Sequence, residues 1–257
     1  MHQYLDLGYA IKIPMYNLLI GIGAIAGFLF LENQIKINKI EFRIDRKIYI
    51  SIIISGFFGF FGAKLFEIIY KQPALSINGF LNSGATFYGG LLIGSNFFIL
   101  SCRILHVQIL KTINLVIPSL ILAHAFGRIG CFLAGCCFGK PTNCLLGVIF
   151  PAGSIPFAQF GELKLHPVQL YEAVFLFVLF FIIIKFVNFY SRLPFYLIAY
   201  GLFRFFIEFL RGDYRGNLLS IKVLTPSQTI SLILVLLGIF LMVRKKYEKH
   251  IIATKVI

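Results

Sequence analysis

The chain has 257 residues, of which 59% are hydrophobic and 13% charged, with 24 Lys and Arg against 10 Asp and Glu for a formal net charge of +14. A soluble domain carries about 25% charged residues, so this composition excludes an ordinary water-soluble fold and makes lipid the solvent. In that setting the basic excess reads as loop topology and attraction to anionic membrane lipids, and no nucleic-acid partner is expected.

Residues 1–14 are polar and mixed, without the basic start and small-residue cleavage site of a removed leader, so the first apolar run is expected to stay as a helix. Apolar runs follow near 14–31, 48–70, 88–105, 113–135, 167–188, 194–210 and 226–243. Each is about 17–23 residues long, enough to cross hydrocarbon as a helix, and none alternates as a barrel strand does. Gly, Pro and Asn collect between them at 71–87, 139–166 and 212–225, as loops require. The expected fold is therefore all-α and integral to the membrane, with about seven transmembrane helices in one polytopic domain over 1–257. Trp is absent, which leaves 12 Tyr and 30 Phe to form the interfacial belt.

Lys and Arg orient the helices. Fourteen fall on one set of connections, among them Lys36, Arg43, Arg103, Lys185, Arg192 and Lys249; seven fall on the other, Lys12, Lys71, Lys140, Lys164, Arg211, Arg215 and Lys222. That bias predicts an N-terminus outside and a C-terminus in the cytoplasm.

Charges inside the apolar runs mark candidate chemistry. Lys64 and Glu67 sit three apart on one helix face and read as a pair near the interface. Tyr200, Arg204, Glu208 and Arg211 form one helical stripe, and His124, Arg128 and Cys131 form another. Arg128 and Arg204 read either as a phosphate clamp, since the planar guanidinium binds oxyanions through two nitrogens, or as ion pairs with Glu172 or Glu208. Gly127, Gly130, Gly135 and Gly139 allow close helix approach and leave backbone N–H groups for a phosphate.

Cys131, Cys136, Cys137 and Cys144 are four of the five cysteines. Three readings stay open for them: packing residues, a disulfide, or a metal or redox site. Their spacing matches no common zinc pattern.

Read together, these segments resemble the prolipoprotein diacylglyceryl transferase family along nearly the whole chain. The resemblance runs from Ile13-Pro14-Met15-Tyr16 through Phe87-Tyr88-Gly89-Gly90, Gly127-Arg128-Ile129-Gly130 and Gly139-Lys140-Pro141-Thr142. It continues in His166-Pro167-Val168-Gln169-Leu170-Tyr171-Glu172 and in Tyr200 to Arg204, Glu208 and Arg211. The last two motifs are the specific ones. The resemblance implies a multi-pass protein of the bacterial inner membrane. Such a protein transfers the diacylglyceryl group of phosphatidylglycerol to the lipobox cysteine of exported prolipoproteins and releases glycerol phosphate, with no cofactor and no metal.

Carried over residue by residue, Arg128 and Arg204 hold the lipid phosphate, with Tyr200 and Glu208 supporting Arg204. Tyr88 and His166 join Arg128, Arg204 and Glu208 as catalytic candidates. Tyr16, Gly89, Gly90, Gly127, Gly130, Gln169, Glu172 and Tyr200 are the substrate-binding candidates. The chain departs from the pattern at three positions: Tyr88 replaces a histidine, and Cys131 and Cys136 replace an asparagine and a glutamate. A phenol with a pKa of about 10 is a poor base for a thiol at neutral pH, so Tyr88 is expected to position substrate. Proton removal then falls to His166, His124 or hydroxide. The alternatives are the same transfer, or that of a phosphoglyceryl group, to another envelope acceptor, and a membrane thiol oxidoreductase using the cysteines.

Overall fold

Each apolar run of the sequence is helical in the computed structural model, which describes residues 4–6, 12–71, 80, 86–213 and 224–254. Arg215, Lys222, the side chain of Tyr88 and parts of two predicted loops lie outside the described residues. The helices are α1 (Met15–Ile37), α2 (Phe42–Lys71), α3 (Phe87–Ile104), α4 (Ile109–Ala134), α5 (Ile155–Phe160), α6 (Val168–Phe186), α7 (Arg192–Ile207) and α8 (Pro226–Thr254). Before α1, a short hairpin pairs β1 (Tyr4–Asp6) with β2 (Lys12–Pro14) antiparallel.

Among the described residues, six helical segments are long and apolar enough to cross a membrane, and α3 contributes a shorter apolar one, Gly89–Ile104. At 1.5 Å per residue, the 23 residues of α1 reach about 34 Å, which exceeds a hydrocarbon core of about 30 Å. Polarity is distributed as lipid demands. Ile53, Phe181 and Leu236 are exposed on their helices, whereas Gln169, Glu172, Arg204 and Ser231 are buried. In water that arrangement would cost free energy twice; in hydrocarbon both halves are favourable. The chain is an all-α integral membrane protein.

Its contacts divide into two units, Gln34–Ile113 and Met1–Asn33 with Asn114–Ile257. In the first, α2 and α3 pack backbone to backbone. A Cβ on Gly89 would lie 2.5 Å from Phe66 Cβ and 2.6 Å from the Gly62 carbonyl, and one on Gly90 would lie 3.2 Å from the Gly59 carbonyl. The closeness permitted by Gly89 and Gly90 is thus that of α2. Lys64 Nζ donates to the Phe80 carbonyl at 3.0 Å, and Glu67 accepts from the Thr86 hydroxyl.

In the larger unit, Gly23 and Gly27 bring α1 onto α4, and Gly201 and Gly238 bring α7 onto α8. Aromatic rings join the others: Phe126 meets Phe177 edge-on at 5.6 Å, and Phe175 stacks on Phe203 at 4.0 Å. Between α4 and α6 the chain folds over a small core of Phe138, Phe150 and Leu165, flanked by Phe132 and Phe160. Within it, Ser154 caps α5 by accepting from Phe157 N at 3.3 Å. Bridges from Gly139 to Arg211 and from Leu165 to both Pro141 and Val148 tie this cap together. The end of α7 tightens to a 3-10 turn at Glu208–Leu210, after which Arg211 is extended at φ −74° and ψ 140°. Arg211 is therefore placed by its bridge to Gly139, not by the helical stripe that the spacing suggests.

Gly21 and Gly23 lie two apart on α1 but differ in surroundings. A Cβ on Gly21 would meet nothing within 4 Å, while one on Gly23 would lie 2.7 Å from Phe126 Cβ and 3.0 Å from the Ala123 carbonyl. Gly23→Ala is expected to lower stability by about 1–3 kcal/mol in a detergent thermal melt, with Gly21→Ala neutral or slightly stabilising. Equal melting of the two variants would refute the α1–α4 contact.

Candidate active site

The centre of the larger unit is a carboxylate. Glu172, on the first turns of α6, is 1% exposed. Its Oε1 lies 3.0 Å from Arg128 Nε on α4 and accepts from Tyr200 Oη on α7 at 2.9 Å. His124, one turn before Arg128, accepts from the same Nε at 3.2 Å and lies 3.8 Å from Glu172 Oε1. Its ring meets Tyr200 edge-on at 5.4 Å, and Tyr196 stacks on Tyr200 at 5.5 Å. Tyr200 thus supports Glu172, whereas the resemblance implies that it supports Arg204. An unpaired buried carboxylate is costly, and here one cation and one phenol stabilise it together.

The second arginine has its own carboxylate. Arg204 Nη2 lies 2.7 Å from Glu208 Oε2, one helical turn on, and donates to Ser227 Oγ of α8 at 3.1 Å. Its Nη1 is buried, with no hydrogen-bond partner among the described residues. Glu208 Oε1 accepts from the Thr225 hydroxyl at 3.2 Å, and Oε2 stands 3.8 Å from Arg211 Nε. Arg211 in turn forks onto Asp213 at 2.9 and 2.7 Å. Burial works against the charge of Arg211, but the bonds to Asp213 outweigh it and its pKa rises. The guanidinium is permanently charged.

The remaining candidates fall around these pairs. Gln169, 1% exposed, donates from Nε2 to the Cys136 carbonyl at 2.6 Å, while its Oε1 is buried with no partner among the described residues. His166 Nδ1 lies 3.3 Å from Tyr171 Oη, and its backbone bonds Gly139 and Lys140 in the cap. Tyr16 is 38% exposed, and a Cβ on Gly130 would come within 3.3 Å of its ring. Nothing lies within 4 Å of the Cβ position at Gly127. Gly89, Gly90 and the backbone of Tyr88 belong to α3, in the other unit.

Among the described residues no disulfide joins any of the five cysteines. Cys131, Cys136 and Cys137 bring their sulfurs within 4.8 Å of one another, while Cys144 is exposed. Hydrogen bonding to Cys131 and Cys137, together with burial, pushes the Cys136 thiol well above the usual thiol range. A separate cleft of about 810 Å³ is lined by Phe132, Ile149, Phe150 and Phe157, with Glu162 as its charged residue. It suits hydrocarbon and offers no cation to a phosphate.

The arrangement offers two arginines, Arg204 buried and Arg128 half-buried, each braced by a carboxylate, on α7 and α4 of one unit. Spacing alone separated the stripes but did not reveal Ser227 and Thr225, which reach Arg204 and Glu208 from the start of α8. Their signal was the Thr-Pro-Ser run that opens an apolar helix.

A family model described as prolipoprotein diacylglyceryl transferase matches residues 3–244. A phosphatidylglycerol–prolipoprotein diacylglyceryl transferase of Clostridium tetani is 37% identical over 254 residues, covering 94% of this chain and 97% of that one. One from Clostridium perfringens, named phosphatidylglycerol–prolipoprotein diacylglyceryl transferase 2, is 36% identical and covers 91% of each chain. Another of the first name, from Finegoldia magna, is 28% identical and covers 95% of each.

Glu172 and Tyr200 separate in strength. Glu172→Ala leaves the half-buried Arg128 without its counter-charge and is expected to cost toward the lower end of about 3–5 kcal/mol, whereas Tyr200→Phe removes one hydrogen bond and costs about 1–3 kcal/mol, less than Glu172→Ala. Detergent melts of the two variants check the order; a milder Glu172→Ala would remove Glu172 from the centre of the unit.

Proposed function

The chain belongs to the prolipoprotein diacylglyceryl transferase family, and on that premise we propose that it transfers the diacylglyceryl group of phosphatidylglycerol to the lipobox cysteine of exported prolipoproteins. The name carried by its relatives supplies both substrates. The observation that carries the reading at the level of residues is the pair of arginines braced by carboxylates, one of them buried with a donor, Arg204 Nη1, that no described residue uses.

In this reading the lipid phosphate is held by Arg204 through Nη1 and by the terminal nitrogens of Arg128, whose contacts to Glu172 and His124 both run through Nε. Glu172 and Glu208 keep the two forks in place. The acceptor thiolate attacks the glycerol carbon that carries the phosphate. A C–S bond forms, the C–O bond breaks, and its electron pair leaves on the phosphate of glycerol phosphate. Buried donors aimed at that departing charge lower the barrier because they need no reorganisation as it develops. Tyr16, Gly127 and Gly130 line the approach from α1 and α4, and Gln169 Oε1 offers an acceptor to the substrate. Tyr88 positions substrate. His124 already accepts from Arg128, which leaves His166 as the freer imidazole.

The same reading makes residues 1–257 one polytopic domain in the bacterial inner membrane, N-terminus outside and C-terminus in the cytoplasm. Reporter fusions near Asn38 and Lys249 should then report cytoplasm, and one near Asn143 the outside; any of the three reversed would break the topology.

Function is tested by complementing a strain depleted of its own diacylglyceryl transferase. The chain should restore growth, and Arg128→Ala or Arg204→Ala should abolish rescue at normal membrane levels. Arg128→Lys and Arg204→Lys should each lower transfer in vitro about 10²–10³-fold, since a point charge replaces a planar fork. Near-normal transfer by both lysine variants would end the clamp, and failure of the well-expressed parent to rescue would end the acceptor assignment.

A further inference from the structure

Three thiols meet where α4 ends, and two of them have a plain structural reason to be there. The Cys136 N–H bonds the Cys131 carbonyl at 3.1 Å and the Gly135 N–H bonds the Phe132 carbonyl at 3.1 Å, with Gly135 at φ 71°. That is a Schellman turn, in which the residues standing as Cys131 and Cys136 touch as a matter of course. Small apolar side chains would satisfy it.

Cys137 has no such reason. Its φ of 62° lies in the left-handed region, which is strained for a residue with a side chain and which Gly would occupy freely. This backbone brings the third sulfur within 4.8 Å of the other two. The turn is also held from outside: Gln169 Nε2 donates to the Cys136 carbonyl at 2.6 Å, and Gly212 N donates to the Phe138 carbonyl at 3.0 Å. The three sulfurs therefore converge on a braced backbone and not on a loose loop.

We infer that Cys131, Cys136 and Cys137 form a three-thiolate zinc site whose fourth position takes the acceptor thiol of the prolipoprotein and makes it the nucleophile, an inference that rests on the transferase reading above. The dimensions agree. Zn–S bonds of about 2.3 Å at tetrahedral angles set sulfurs about 3.8 Å apart, so a closure of at most about 1 Å, within the reach of small χ1 rotations, completes the site. Three thiolates select a soft or borderline ion, and zinc with three protein ligands keeps an open position for water or substrate. Three thiolates on one dication leave a net negative charge, which the nearby guanidiniums of Arg128, one turn before Cys131, and Arg211 offset.

The chemistry supplies a step for which Tyr88 is poorly suited. A thiol that coordinates zinc loses its proton outright, here to solvent, without a neighbouring base. The metal-held sulfur then attacks the glycerol carbon, the C–S bond forms, and the C–O electron pair leaves on the phosphate. The thioether is a weak ligand and departs, water returns to zinc, and no oxidant or reductant takes part.

The test uses the full chain, purified in detergent with reductant and loaded with zinc or cobalt. About one metal per chain is expected, with cobalt giving a thiolate charge-transfer band that changes when a peptide bearing a lipobox cysteine is added. Cys131→Ser, Cys136→Ser and Cys137→Ser should each weaken zinc binding at least about 10-fold, while Cys144→Ser should keep it. Stripping zinc should lower transfer from phosphatidylglycerol at least about 100-fold, and zinc should restore it. Because the cobalt spectrum is read on the unmutated chain, a variant that fails to fold does not decide the outcome. No metal uptake by the reduced chain, or transfer at the parent rate by metal-free chain, overturns the zinc site and leaves the transferase standing. Zinc held by the three thiols without lipid transfer under any condition overturns the transferase reading and leaves the metal site.

Discussion

A carboxylate buried in a membrane bundle is the constraint on which the larger unit depends. Glu172 is unstable there alone, and each neighbour that relieves it comes from a different helix: Arg128 from α4 and Tyr200 from α7. One charge thereby sets the rotation of three helices. Turning α4 by a single residue, about 100°, would carry Arg128 off the carboxylate and leave two ions unpaired in a low dielectric. The second pair, Arg204 with Glu208, repeats the device at the end of α7, where Ser227 and Thr225 extend it to α8.

These pairs also explain how two arginines persist in an apolar fold without closing on each other. Each is neutralised by a carboxylate, so neither must capture an anion to be stable, yet each keeps donors that its partner does not use. A site for an anionic lipid headgroup needs that balance. Bare arginines would destabilise the bundle, and fully satisfied ones would have nothing to offer a phosphate.

Around the ions, packing works by omission. Gly23 and Gly27 on α1, and Gly201 and Gly238 on α7 and α8, remove side chains so that backbones touch, which is how helices associate when lipid provides no hydrophobic drive between them. Within the smaller unit Gly89 and Gly90 do the same for α2 and α3, though their place in a family motif suggests contact with substrate. The cap between α4 and α6 follows the opposite rule. It buries Phe138, Phe150 and Leu165 and hydrogen-bonds its backbone to His166 and Leu210, because outside hydrocarbon the ordinary hydrophobic effect operates.

Much of this was legible in the sequence because it is local. A run of about 20 apolar residues has one good conformation in a bilayer, so the helices and their limits follow from composition and length. Periodicity likewise put His124 with Arg128, and Arg204 with Glu208, on common faces. Only the tertiary structure decided which carboxylate each arginine meets. Glu172 is 44 residues from Arg128, and nothing in the spacing prefers it to Glu208; the choice is made by how α4, α6 and α7 pack. The same holds for Tyr200, which turns to Glu172 instead of Arg204, and for Arg211, which leaves the helical stripe because a 3-10 turn and a bridge to Gly139 extend it. It holds also for Cys137, whose place beside two other sulfurs depends on a left-handed backbone that its one-letter code does not announce. Helical faces repeat every 3.6 residues and can be read along the chain, but pairings between helices depend on packing that no period encodes.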